Sequence, residues 1–168
     1  MITGDRRIAI YETLLEADLP MKGSTLAEMF KVSRQVIVQD IAVLRAEGKE
    51  IIATPAGYLV MQMEKNGLEK TIISKHNTLE ALQKELEIIV DHGAKVLDVI
   101  VEHPIYGEIK GRLMLTNRIE VNAFIEKIKK EGATPLSKLT DGLHLHTLWV
   151  PDESTFNKIV ESLKDFTK

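Results

Sequence analysis

Two unlike halves, one helical and one alternating strands with helices, mark this 168-residue chain as α+β. Three observations carry that reading. Up to about residue 61, apolar residues recur at helical spacing and close on two short strand-like runs. Beyond residue 67 the pattern reads β-α-β-β-α-β-α. Between them, Met63-Glu64-Lys65-Asn66-Gly67 is polar and ends in Asn-Gly, as linkers do. The predicted architecture is an N-terminal winged helix-turn-helix, residues 1–62, followed by a ferredoxin-like split βαβ sandwich with an extra C-terminal helix, residues 67–168.

In the first half, Asp5 to about Glu16 carries Ile8, Tyr11, Leu14 and Leu15 on one helical stripe. Thr25 with Glu28 has the spacing of a capping box for a short helix over Leu26–Phe30. Ser33 is an N-cap for a third helix running to Ala46, which Gly48 stops. Ile51–Thr54 and Tyr58–Met61 flank Pro55-Ala56-Gly57 and read as a hairpin, the wing. In the second half, Thr71–Ser74 reads as a strand and Leu79–Asp91 as a helix. Val96–Val101 is a buried strand and Glu108–Leu115 an alternating one. Asn117 with Glu120 opens a helix to about Lys130, Leu143–Val150 is a strand, and Asp152 starts the last helix.

An apolar share of 44% and a charged share of 28% are ordinary for a globular protein, and the length suffices for one core or two small ones. The absence of cysteine excludes a disulfide framework, a thiolate nucleophile and a thiolate zinc site. It also fits a reducing cytosol. The opening MITGDRRIAIYE lacks the apolar run of a signal peptide, and no segment approaches membrane-spanning length. A cytoplasmic protein without a membrane partner is therefore expected. The net charge of -3 gives no support for wholesale nucleic-acid binding, and residues 1–61 hold seven Lys/Arg against eight Asp/Glu. Binding DNA there requires charges sorted onto one face.

Three helices and a hairpin in this order make a winged helix-turn-helix. At 100° per residue, Ile37, Ile41 and Leu44 of the third helix fall within about 60° of one another and form its buried stripe. Gln35, Gln39 and Ala42 then face outward, and glutamine pairs bidentately with adenine in the major groove. Ser33 and Arg34 at the helix start are placed for phosphate, where free N–H groups and the helix dipole favour an anion. Arg45, and Lys49 before the wing, are further phosphate candidates. The plainer alternative is a small three-helix bundle whose polar face is merely solvated. The segment VSRQVIVQDIAVLRAEG also looks like the helix-turn-helix of many bacterial ligand-responsive repressors.

All five histidines lie beyond residue 75. His144 and His146 stand on one face of their strand, roughly 7 Å apart, a spacing that lets both imidazoles converge on one ion. His76 sits in a loop just before a helix. On that helix Glu85 falls about 80° from the centre of the Leu79, Leu82, Leu86 and Ile89 stripe, whereas Glu87 and Glu80 fall about 120° and 140° away. Glu85 is thus the acid most able to lean into the sandwich. Three imidazoles and a carboxylate suit zinc, nickel or iron, and spacing alone does not choose among these divalent transition metals. His103, at a strand end before Pro104, either lines a small-molecule pocket with Tyr106 or terminates the strand by capping. His92, beside Gly93, is a helix C-terminal residue favoured by the dipole.

VEHPIYGEIKG, GLHLHT and the upstream SKH together resemble a three-histidine domain, here behind a winged helix. That combination is similar to the niacin-responsive transcriptional repressors of Firmicutes and Thermotogae, the NiaR family, over essentially the whole chain. The resemblance implies a homodimer on double-stranded operator DNA, with nicotinic acid as co-repressor, silencing genes of niacin uptake and NAD biosynthesis. It also implies a bound divalent metal on histidines and a glutamate, for which His76, His144 and His146 occupy the histidine positions and Glu85, just before Leu86, the carboxylate position. The residues themselves leave rivals open. A metal-sensing repressor uses the ion as its signal. A small metallohydrolase is disfavoured by the lack of GxSxG, HExxH or a Walker loop. An amino-acid-sensing regulator of similar architecture has no need of the HxH strand.

Overall fold

A computed structural model describes residues 3–60 and 66–166; the expected strand end at Met61 and linker positions 63–65 lie outside the described residues. The chain divides into two compact units, Met1–Met63 and Glu64–Lys168.

The first unit comprises α1 (Thr3–Glu16), α2 (Gly23–Phe30), α3 (Arg34–Ala46), β1 (Ile51–Thr54) and β2 (Gly57–Val60). Its core joins Ile10 and Leu14 of α1, Leu26 of α2, Ile37, Ile41 and Leu44 of α3, and Ile51 and Val60 of the wing. The stripe on α1 differs from the sequence expectation: Ile10 and Leu14 are buried, Tyr11 is half-buried, and Ile8 is 60% exposed with Leu15 exposed beside it. Ile8 stands two residues, about 200° of helix, from Ile10 and so cannot share its face. The capping box on α2 does not form either, because the helix starts at Gly23 with Lys22 as an N-cap that makes no side-chain bond. Thr25 is already inside the first turn. Ser33 does cap α3, its Oγ accepting from Val36 N–H at 3.3 Å. The wing gains a further partner at Met21, which exchanges two 2.8 Å backbone bonds with Tyr58. That approach requires glycine at 57, where φ is +144° and a Cβ would stand 2.3 Å from Met21 O.

The second unit runs β3 (Leu68–Lys75), α4 (Leu79–Asp91), β4 (Lys95–His103), β5 (Gly107–Leu115), α5 (Arg118–Glu131), a 3-10 helix (Leu136–Thr140), β6 (Leu143–Val150) and α6 (Glu153–Ser162). Thr78, Asn117 and Asp152 cap their helices by accepting from the N–H groups of Ala81, Glu120 and Thr155. The sheet order is β3-β6-β4-β5 with antiparallel neighbours, so β3 and β4, joined through α4, run parallel with one strand between them. The βαβ unit is therefore split as expected, but by the last strand, whereas a ferredoxin-like sheet places its third strand there. Burial accounts for the choice. β6 is buried at His144, His146, Leu148 and Val150 and half-buried at Leu145, Thr147 and Trp149, while β5 exposes Glu108, Lys110 and Arg112 as an edge strand does. Leu82, Leu86 and Ile89 of α4, Val121 and Ile125 of α5, and Ile159 of α6 pack with Ile72, Val96, Leu148 and Val150 in one core. Among the described residues no helix is long and apolar enough to cross a membrane.

Candidate metal centre

Strand alternation puts His144 and His146 in line with Leu148 and Val150, so two imidazoles occupy positions of a core stripe and are fully buried. Ser74 and Ile72 of β3 lie directly opposite them. After Lys75 the chain leaves the sheet and His76 N–H donates to Gly142 O at 3.2 Å. α4 then brings Glu85, fully buried beside Leu86, over the pair.

The four side chains meet on one atom. Glu85 Oε2 lies 2.6 Å from His76 Nε2, 3.2 Å from His144 Nε2 and 3.6 Å from His146 Nε2. Glu85 Oε1 accepts a hydrogen bond from Ser74 Oγ. The far sides of two rings are fixed by backbone: His144 Nδ1 faces Gly142 O at 2.8 Å and His146 Nδ1 faces Asp98 O at 2.7 Å. A carbonyl only accepts, so each Nδ1 carries a proton, and the Nε2 of a neutral ring is a bare lone pair. Lone pairs aimed at a carboxylate oxygen repel it. Two chemistries resolve this: a proton on the ring, or a shared cation. His146 Nε2 is buried with no hydrogen-bond partner among the described residues.

The donor set fits a divalent transition metal. Ligand atoms of His76, Glu85 and His144 all lie within 4.8 Å of one another, and His146 adjoins them through Glu85. Imidazoles whose remaining N–H is held by a carbonyl are the usual supports of such ions. Burial pushes the Glu85 carboxyl up, but the charge of His146 and hydrogen bonds from His144 and His76 outweigh it and hold the group well below the ordinary range. Burial likewise pushes His146 down, and the Glu85 charge opposite it lifts it above its ordinary value. The supports are themselves braced. Gly142 has φ +88°, and a Cβ there would come within 2.5 Å of His76 O. Asp98 is buried, its Oδ1 accepting from Thr147 N–H at 3.1 Å.

His103 and Tyr106 are not drawn into this cluster. His103 Nδ1 accepts from the N–H groups of Ile105 and Tyr106 at 3.2 and 3.3 Å, which makes it the cap of the β4–β5 turn, and Tyr106 is an exposed ring 5.1 Å from it. His92 closes α4, its Nδ1 donating to Ile88 O at 2.7 Å.

On α3, Arg34, Gln35, Gln39, Ala42 and Arg45 are exposed and Ile37, Ile41 and Leu44 are buried. Arg45 Nε donates to Ile51 O at 2.7 Å, tying the helix to the start of the wing, and Lys49 Nζ lies 4.6 Å over the Tyr11 ring. Sequence reading missed Asp40, the one carboxylate on α3. It is buried and bonded to Arg6 Nε at 2.7 Å and Arg7 Nε at 3.0 Å, so α3 presents amides and cations outward and no acid. Ser74, Gly142 and the Asp98 carbonyl were missed as well. Their signal was register with the HxH strand, and no local motif announces it.

Comparison with known proteins agrees with both units. A family profile for an HTH domain matches residues 6–59 and one for a 3H domain matches residues 69–166. The chain is 42% identical over 160 residues to the probable transcription repressor NiaR of Thermotoga maritima, spanning 95% of this chain and 90% of that one. It is 40% identical over 168 residues to the transcription repressor NadR of Bacillus subtilis, spanning 98% and 93%. Both are named as repressors rather than enzymes. An uncharacterized protein of Methanothermus fervidus is 25% identical over 142 residues, which span 79% of this chain and 22% of that protein.

Proposed function

The chain belongs to the family of the transcription repressors NiaR and NadR, and on that premise we propose that nicotinic acid is its co-repressor and that it silences genes of NAD biosynthesis and niacin uptake. In this reading it is a cytoplasmic homodimer on double-stranded operator DNA. His76, Glu85, His144 and His146 hold a divalent transition metal, nickel, zinc or iron, and His103 with Tyr106 borders the effector. When bound, such an ion supplies a positive Lewis-acid centre for the carboxylate or ring nitrogen of the effector. The single observation that carries the proposal is the convergence of three imidazole nitrogens on one oxygen of the buried Glu85.

The protein's own residues divide the remaining work. The Gly142 and Asp98 carbonyls select which nitrogen of His144 and His146 faces the centre. On α3, Gln35 and Gln39 face base edges, while Ser33, Arg34 and Arg45 stand for phosphate. A dimeric reader sets its recognition helices about one DNA turn apart. Effector binding shifts the population toward operator-competent dimers only by its differential affinity for them, typically about 5- to 150-fold. Gel-shift titration with and without nicotinic acid tests this: at least about fivefold tighter operator binding is expected. Equal affinity in both arms discards the co-repressor. A second reading, in which the ion is itself the signal, draws on the same buried donor set. Adding or chelating metal at fixed nicotinic acid separates the two.

A further inference from the structure

The helix core of the second unit lies on the sheet face that carries Leu148 and Val150. On the opposite face Leu145 stands between Ile73 of β3 and Ile100 of β4, an apolar rung across three strands. Ile73 is 56% and Leu143 49% exposed, whereas the outward face of an antiparallel sheet is ordinarily polar. Charge on either side of the rung is ordered. At one end Glu69, Trp149 and Lys95 stand in register across β3, β6 and β4, with Trp149 partly covered by Gly67. At the other end Lys75 pairs with Leu143, and Glu102, two positions beyond Ile100, continues the row.

The first row thus reads acid, aromatic, base, and the second base, apolar, acid. A two-fold axis lying across the strands lays each strand over its own copy in reverse. It brings Glu69 onto Lys75 of the second copy, Trp149 onto Leu143 and Lys95 onto Glu102, with the two apolar rungs one position to either side of the axis, each facing the Thr71–Thr147 row of the other copy. We propose that this open sheet face is the self-association surface of the protein, occupied by a second copy of the same chain through an isologous, face-to-face contact. Such a contact is the aligned packing that twisted sheets adopt. The inference rests on the dimeric-repressor reading above and assigns its surface.

Sedimentation equilibrium of the full chain tests it. The unmodified protein is expected to be a dimer, and Leu145→Lys to raise the dimer dissociation constant at least about 100-fold by burying a charge at the centre. Glu69→Lys is expected to raise it roughly tenfold, and Glu69→Lys with Lys75→Glu to restore it. The two positions are six residues apart on one strand, about 20 Å, so rescue within one chain is excluded. Thermal melting of each variant verifies the fold, and the charge swap keeps the test decisive should Leu145→Lys misfold. A dimer that persists in folded Leu145→Lys, or a swap that does not rescue, overturns this surface and leaves the dimer standing. A monomeric unmodified chain overturns the dimer reading itself.

Discussion

Two of the buried carboxylates, Asp40 in the first unit and Glu85 in the second, are neutralised in opposite ways. Asp40 meets two guanidinium groups, which stay protonated at any pH the protein survives, so its charge balance is permanent. Glu85 meets three imidazoles, whose charge is conditional and whose Nε2 lone pairs accept either a proton or a metal. The first arrangement fastens α1 to α3. The second is a socket whose state depends on what fills it. A regulator needs both, a reading head that holds its shape and a sensing unit that does not stay indifferent to its contents.

The largest expected break is at the socket. If the proposed metal is bound there, Glu85→Gln removes the shared anion and with it the stabilisation that metal would confer, about 4 kcal/mol at a metal concentration about 1,000 times its dissociation constant. Melting of the unmodified protein should fall when the metal is chelated, while Glu85→Gln should melt alike with and without chelator. Asp40→Asn should cost less, about 2–3 kcal/mol. Breaking a fully buried pair costs about 3–5 kcal/mol, and here Arg6 and Arg7 side chains keep 14% and 29% exposure. Hydrogen exchange should show the loss in α1 and α3 and spare the second unit.

Acid and base separate the two further. Asp40 is pushed up by burial but held below its ordinary value by hydrogen bonds and charge from Arg6 and Arg7. Its contribution is therefore present above about pH 3.9 and is lost as pH falls through the depressed value. His146 is raised, so in metal-free protein its contribution is complete below about pH 6.5 and is lost as pH rises through the raised value. Urea midpoints of chelated protein should drop for the second unit as pH rises above about 6.5, with the first unit flat. Added nickel or zinc should reverse that slope, because the metal competes with protons for the same lone pairs. The smallest effect on the fold is expected from Gln35→Ala with Gln39→Ala. It should leave both units' stability nearly unchanged while costing specific DNA binding about 1–3 kcal/mol per base contact. Equal loss on random DNA would assign both side chains to solvated surface.

How much of this the sequence disclosed follows the range of each interaction. α4 was legible to the residue because Thr78 caps it and its apolar stripe is regular, and β6 because its alternation is strict. The same alternation disclosed His144 and His146, and an angle on the helix disclosed Glu85. That angular test, applied to Asp40, puts it about 70° from the buried stripe of α3 and would have exposed it too. α2 was misjudged because glycine opens it and no side chain caps it. Ser74 and Gly142 look like an ordinary strand serine and turn glycine until register sets one against His144 and the other's carbonyl on the His144 ring. The place of β6 between β3 and β4 is a pairing of distant segments, which local patterns do not encode.

The socket is tested most directly by calorimetric titration of chelator-stripped protein with nickel or zinc in buffers of different ionisation enthalpy. The expected result is one ion bound per chain with net proton release near pH 6, both lost in His146→Ala. Binding of similar strength and stoichiometry in His146→Ala, or none in the unmodified chain, would contradict it.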